Sequence, residues 1–272
     1  MVMPSQGINN LELYYEVVGE GWPLVFVHGF SGNLTGWAFQ IPAFAPHYQT
    51  VCFDLRGHGR SEHPTSPEAY SIDLFAADLH GLLRFLDVET CYLVGHSMGG
   101  MVALEFAFRH QEMLRALVLM DTSSGEIDRH LGVVLPRDKL EELARNQGME
   151  AVFEFNLAHN PQLQQLLADP ELKHLYKEQF LLNSPHGYIY SGRAVEGWVP
   201  VTGRLSQIKM PTLILVGEND LPFLRPSQVL HRGIAGSELV VIPGASHTSM
   251  AEAPEAVNQA IMDFLQRVDG SR

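Results

Sequence analysis

Cysteine is scarce: the chain has two, Cys52 and Cys91, each inside a short apolar stretch. Two thiols cannot build a disulfide framework, and their spacing fits no metal-binding pattern, so both are expected as buried free thiols in a reducing compartment. Basic residues are also few. Eighteen Lys and Arg face 31 Asp and Glu, a formal net charge of −13, and no basic block reverses that balance locally. Such a surface argues against phosphate backbones and anionic lipid, so neither a nucleic-acid nor a membrane partner is expected. No apolar run approaches the ~20 residues that span a bilayer. Residues 1–10 lack the basic and apolar regions of a secretion signal. The expected location is cytoplasmic. With 46% hydrophobic residues over 272 positions, the chain can form one large core.

Short apolar runs recur along it, at Pro23–Val27, Thr50–Phe53, Cys91–Val94, Ala116–Met120, Thr212–Val216 and Glu238–Ile242. Runs of this kind suit strands covered on both faces, as in a parallel sheet. Leu11–Val18 alternates well enough for an early strand or hairpin arm. Between the runs lie helical patterns. In Ser71–Leu86 a broad stripe of Leu74, Phe75, Ala77, Asp78, Leu82, Phe85 and Leu86 is expected to face the core. In Glu255–Val268 the corresponding face is Val257, Ile261, Phe264 and Leu265. Alternating strand and helix imply right-handed crossovers and a doubly wound sheet. From about Gly125 to Gly203 the alternation stops. Helices are expected there at Asp138–Asn146, Met149–Leu157, Pro161–Leu167 and Glu171–Leu182, with Gly148, Pro161, Pro170 and Pro185 as breaks. The organisation expected is one domain over residues 1–272 with a helical insertion at about 125–203.

The run at Cys91 ends in Gly95-His96-Ser97-Met98-Gly99, and helical periodicity follows at once. A serine on a sharp strand-to-helix turn, with glycines two residues to either side, lets strand and helix pass closely while the hydroxyl stands above the sheet. The five-letter pattern recurs by chance, so the strand–turn–helix context is what gives it meaning. A serine hydroxyl needs a base, and the base an orienting acid. Asp220 follows the Leu-Ile-Leu-Val run and His247 follows the Leu-Val-Val-Ile run. Parallel strands place their carboxyl ends on one edge of a sheet, so Ser97, Asp220 and His247 are expected to converge there.

With these residues in place the chain resembles the α/β-hydrolase superfamily, from about Leu11 to the last helix. The likeness rests on His28-Gly29-Phe30, Asp54-Leu55-Arg56-Gly57-His58-Gly59-Arg60-Ser61, Gly95 to Gly100, Gly217-Glu218-Asn219-Asp220 and Gly244-Ala245-Ser246-His247. The resemblance implies an α/β fold with an eight-stranded, mostly parallel sheet flanked by helices, and makes the helical insertion a cap over the site. It implies Ser97 as nucleophile, His247 as base and Asp220 as acid. For the oxyanion hole, Met98 N–H is expected from the first turn after the nucleophile, and the His-Gly-Phe pattern points to Phe30 N–H. The side chains of Phe30 and Met98 would then wall the acyl pocket.

Rivals exist for several roles. Asp121 also ends a strand, and Asp220 is preferred because the loop after it can reach back to His247. Asp54 is expected to fix the Arg56–Gly59 turn, and His28, His58 and His96 to shape backbone. Trp37, Phe153, Trp198 and Leu221 are taken as candidate substrate-pocket residues. Arg193 either meets a substrate carboxylate or forms a salt bridge, and Trp198 either lines the pocket or packs where the insertion rejoins the core; the packing readings are preferred. No Cys/His cluster suggests a metal, and no cofactor is expected.

The function expected is carboxylic-ester hydrolysis of small or medium acyl groups through an acyl-enzyme, on a small-molecule ester or lactone. A lactonase or a carbon–carbon hydrolase of ring-fission products is the alternative. Against the latter, His96 stands where many such enzymes have Asn, and Thr248 where they often have Trp. A non-hydrolytic receptor for small ligands is the reading of another class.

Overall fold

The computed structural model describes residues 5–125, 127 and 135–270. The start of the insertion at 126 and 128–134 therefore lies outside the described residues, as do residues 1–4 of the amino-terminal stretch. In chain order the elements are β1 Ser5–Ile8, β2 Leu11–Val18, β3 Pro23–Val27, α1 Ile41–Phe44, β4 Gln49–Phe53, α2 Ile72–Phe85, β5 Cys91–His96, α3 Met98–Arg109 and β6 Leu114–Met120. The insertion follows with α4 Arg137–His159, α5 Pro161–Leu166, α6 Pro170–Phe180 and α7 Pro185–Glu196. The chain ends with β7 Thr212–Gly217, α8 Leu221–Gly233, β8 Glu238–Ile242, α9 Ser249–Glu252 and α10 Pro254–Gly270.

One eight-stranded sheet has the order β1-β2-β4-β3-β5-β6-β7-β8. β1 and β2 pair antiparallel, β2 and β4 likewise, and every pairing from β4 to β8 is parallel. The apolar runs are continuous because both faces are covered. Val25, Val27, Leu93, Leu117 and Leu119 enter one apolar cluster with α2 and α3. Their neighbours Leu24, Phe26, Tyr92, Val94, Val118 and Met120 enter a second cluster with Phe44 of α1 and Val257, Ile261, Phe264 and Leu265 of α10. Successive strand side chains point to opposite faces, and each large one buried this way contributes roughly 1.5–3 kcal/mol. Cys52 and Cys91 are free and buried, and burial pushes the Cys91 thiol up to about 12.

The structure departs from expectation at three elements. β1 had no strand signal of its own; it forms a hairpin with β2 across Asn9-Asn10, both at positive φ (51° and 63°), a turn that asparagine tolerates. The stripe on α2 is rotated: Ile72, Phe75, Ala76, Asp78, Leu79, Leu82 and Leu83 are buried, while Phe85 is exposed. Asp78 belongs inside because Arg56 meets it with two hydrogen bonds, Nε to Oδ2 at 2.5 Å and Nη2 to Oδ1 at 2.6 Å. Helix α7 is not among the expected helices, and Pro185 is expected only as a break. Pro185 instead opens it, with the Ser184 hydroxyl accepting from Gly187 N–H. Pro161 and Pro170 likewise open α5 and α6 behind Asn160 and Asp169 caps, since proline suits a first turn whose N–H has no helical partner. Gly148, at φ 82°, kinks α4 where a break was expected.

Candidate active site

The centre of the site is Ser97, between β5 and α3, held at φ 53° and ψ −117°. That conformation costs a non-glycine residue roughly 1–3 kcal/mol, and its surroundings impose it. Ser97 N–H donates to the Met120 carbonyl (2.9 Å), and the Ser97 carbonyl accepts from Thr122 Oγ1 (2.7 Å) and Gly100 N–H (2.9 Å). Gly95 and Gly99 make the crossing feasible: a Cβ on Gly95 would run into the Gly99 carbonyl, and one on Gly99 into the Val27 carbonyl. The sheet order then brings the carboxyl ends of β5, β6, β7 and β8 side by side.

At that edge the three residues expected from the sequence meet. His247 Nε2 lies 3.0 Å from Ser97 Oγ, and His247 Nδ1 lies 2.9 Å from Asp220 Oδ2. The carboxylate accepts, so Nδ1 carries the proton and Nε2 faces the serine hydroxyl as acceptor. Asp220 is buried, whereas the His247 side chain is 36% exposed, so the ring can be reached from outside. Partial burial disfavours a charged ring; the Asp220 charge and hydrogen bond, then Asp121 and Glu252, outweigh it and raise His247 above its ordinary 6.5. Phe223 stacks on the imidazole, 4.6 Å between centroids at 27°.

Glu252 has no part in the expected site, yet its carboxylate grips both neighbours of His247. It accepts from Ser246 N–H (2.7 Å) and Oγ (2.6 Å), and from Thr248 Oγ1 (2.5 Å). Its spacing of five from His247 falls in a turn whose folding back a one-dimensional pattern does not show.

The loop after β3 lies against Ser97. A Cβ on Gly29 would stand 3.1 Å from Ser97 Cβ and 2.8 Å from His96 Nδ1. His28 holds this loop as a neutral ring, Nδ1 donating to the Gly29 carbonyl (2.8 Å) and Nε2 accepting from Leu55 N–H (3.0 Å). Burial pushes it down to about 4. His96 donates from Nε2 to the His247 carbonyl (2.7 Å) and is pushed down by burial to about 3. Asp54 accepts from Leu34 and Arg60 N–H, both at 2.7 Å, and so pins two turns together. Among the described residues, the N–H groups of Phe30 and Met98 donate to no acceptor in the chain; for Met98, the first residue of α3, that follows from helix geometry.

The insertion contacts loops on two sides of Ser97. On one side Asn183 Nδ2 donates to the Ser31 carbonyl (2.9 Å), Asn33 Nδ2 to the Gln179 carbonyl (3.1 Å), and Phe30 packs on Tyr188 at 4.8 Å. On the other, Gln162 Nε2 reaches the Asn219 carbonyl beside Asp220 (3.5 Å).

Several expected pocket residues lie elsewhere. Trp37 is fully buried in the second cluster, where its ring packs 4.9 Å from Phe26 of β3. Phe153 fills the insertion's own apolar cluster against Phe180 and Tyr176. The Met98 side chain is core rather than a pocket wall, since the first turn of α3 points it at the sheet. Trp198 donates from Nε1 to Glu105 (3.0 Å) and packs on the α2–α3 cluster. Arg193 pairs with Glu141 through Nε (3.1 Å) and Nη2 (2.5 Å). Both line an outer groove of about 310 Å³ that shares no residue with Ser97, Asp220 or His247. Leu221 follows Asp220 directly and is 46% exposed. Among the described residues no three His, Cys, Asp or Glu form a metal cluster, and no helix is long and apolar enough to cross a membrane.

A family profile described as the alpha/beta hydrolase fold matches residues 23–254. The chain belongs to that hydrolase family. Its relatives differ in the bond they cleave. Epoxide hydrolase 3 of Xenopus tropicalis is 29% identical over 89% of this chain and 71% of its own. The crystal structure of the enol-lactonase from Burkholderia xenovorans LB400 matches with a TM-score of 0.85 at 27% identity, covering 97% of this chain and 100% of that one. A thermophilic esterase from Thermogutta terrifontis matches with a TM-score of 0.85 at 28% identity, covering 98% and 99%.

Proposed function

We propose that this chain is a serine hydrolase that cleaves carboxylic esters of small or medium acyl groups through an acyl-enzyme. The observation that carries the reading is the continuous hydrogen-bonded chain from Ser97 Oγ through the His247 ring to Asp220. Ser97 attacks the ester carbonyl as His247 Nε2 takes its proton. The oxyanion is met by the N–H groups of Phe30 and Met98. His247 returns the proton to the leaving alcohol, and a water activated by the same ring then releases the acid. Asp220 keeps Nδ1 protonated and stabilises the imidazolium. The insertion acts as the cap that decides which acyl groups enter. A serine at the elbow disfavours the epoxide chemistry of the Xenopus relative, which in such enzymes begins from a carboxylate.

Ser97→Ala should lower kcat on p-nitrophenyl acetate by at least about four orders of magnitude, and a fluorophosphonate should label wild-type protein at Ser97. Near-wild-type turnover by the variant would sink the assignment. Folded protein that resists labelling would point to a non-hydrolytic receptor. A second reading, lactone opening, is supported by the full-length match to the enol-lactonase. Short-chain esters, lactones and a ring-fission dienoate assayed side by side separate the readings. Dominant lactone or dienoate turnover would replace the ester proposal.

A further inference from the structure

Asp121 closes β6 beside the elbow with φ 48° and a fully buried side chain, and the proposed reaction leaves it without a role. Its two oxygens engage different segments. Oδ1 accepts from Gly217 N–H at 2.8 Å, where β7 ends and the turn to Asp220 begins. Oδ2 accepts from the Ser249 hydroxyl at 2.5 Å, two residues beyond His247 and itself fully buried. The Asp121 N–H donates to the Leu215 carbonyl (2.9 Å), fixing it against β7. One carboxylate thus ties the turn that bears the acid to the segment that bears the base.

A buried carboxylate is costly, and an apolar residue would fill the same space without that cost. Burial and the neighbouring Asp220 charge push the Asp121 carboxyl up, and the charge it carries when ionised adds to the field that raises His247. The groups acting on His247 are Asp220 from the turn after β7, Asp121 from the end of β6 and Glu252 from α9, with His96 from β5 beside the same ring. Asp220, and not Asp121, holds the imidazole Nδ1. We infer that Asp121 is a positioning residue of this site, setting where Asp220 and His247 stand relative to Ser97 and contributing negative charge beneath the base. The inference rests on the reading of those three residues as the catalytic groups.

The test uses the full chain, with Asp121→Asn, Asp121→Ala, Ser249→Ala, Asp220→Asn and Ser97→Ala compared on p-nitrophenyl acetate over pH 5–9. Asparagine keeps both ties, its oxygen accepting from Gly217 and its amide donating to Ser249. Asp121→Asn should therefore lose less than about tenfold in kcat, while the acid limb of kcat/KM moves to lower pH because a negative charge near His247 is gone. Asp121→Ala should lose roughly 10²-fold in kcat with KM nearly unchanged, as expected for a misplaced catalytic group. Ser249→Ala should fall between. Wild-type kcat with an unmoved acid limb in the Asp121 variants overturns the inference. A loss in Asp121→Asn as deep as in Asp220→Asn also overturns it, since Asp121 would then be the orienting acid. If Asp121→Ala does not fold, the limb shift in Asp121→Asn and the kcat loss in Ser249→Ala decide. An active Ser97→Ala would remove the catalytic reading itself; an inactive one beside unaffected Asp121 variants removes only this inference.

Discussion

His96 donates from Nε2 to the main-chain carbonyl of His247 across 2.7 Å, so the residue before the nucleophile anchors the backbone of the base. The two side chains on which the proposed proton transfer depends are thereby held by adjacent residues of one strand end. Replacing His96 by Ala leaves the part-buried His247 carbonyl without its donor, which costs about 1 kcal/mol. The expected outcome is a lower urea midpoint together with a kcat reduced at least tenfold. A variant with wild-type kcat would show that the His247 segment holds its place without this bond.

His28 gives a pH signature in stability. Its folded value of about 4 lies below the ordinary 6.5 because burial excludes the charge. Between these values the unfolded chain binds a proton that the folded ring refuses. The free energy of unfolding therefore falls with falling pH, by up to about 1.4 kcal/mol per pH unit from this group. Asp54, pushed up by burial to about 6, works in the opposite sense between 3.8 and 6. His28→Gln removes only the first contribution. Urea unfolding of the variant between pH 6.5 and 5 should show a stability slope shallower by about 1 kcal/mol per pH unit; parallel slopes would contradict a neutral His28.

Gly29 and Gly99 are expected to separate function from folding. A Cβ on Gly29 meets the His96 ring at 2.8 Å and Ser97 Cβ at 3.1 Å, and so presses on the site rather than on the backbone of the sheet. Gly29→Ala should fold, melt within a few degrees of wild type, and lose activity. A Cβ on Gly99 meets the backbone of β3, which cannot yield without opening the sheet. Gly99→Ala should give insoluble protein or a loss of more than about 3 kcal/mol. Circular dichroism melts and ester turnover on both variants check the contrast.

Arg56 and Asp78 form a buried bidentate pair, with side chains 7% and 0% exposed. Removing one partner strands a buried charge and should cost about 3–5 kcal/mol, while replacing both with apolar residues of similar volume costs far less. Asp78→Leu alone should be markedly destabilised, and the double variant Arg56→Met/Asp78→Leu more stable than that single one in urea unfolding. Equal midpoints for single and double variants would show the pair is not energetically coupled.

Much of this architecture is written locally. Continuous apolar runs mark strands buried on both faces, and their ends carry Ser97, Asp220 and His247 because a parallel sheet collects carboxyl ends on one edge. Periodicity does not show the polar contacts that hold such residues in place. Asp78 looks like an intruder on the α2 stripe until Arg56 arrives from 22 residues away. Pro185 looks like a stop until Ser184 caps the helix it begins.

Taken alone, the sequence determined the α/β class, the strand run, the elbow and its two partners, since each depends on backbone geometry and short-range pattern. Only the tertiary structure decided how those groups are held. It folded Glu252 and Ser249 back around His247, tied Asp121 to Gly217 and Ser249, and sent Trp37 and Phe153 into cores. Whether a ring lines a pocket or fills a core depends on the direction of its side chain and on segments distant in sequence, and neither is encoded in spacing along the chain.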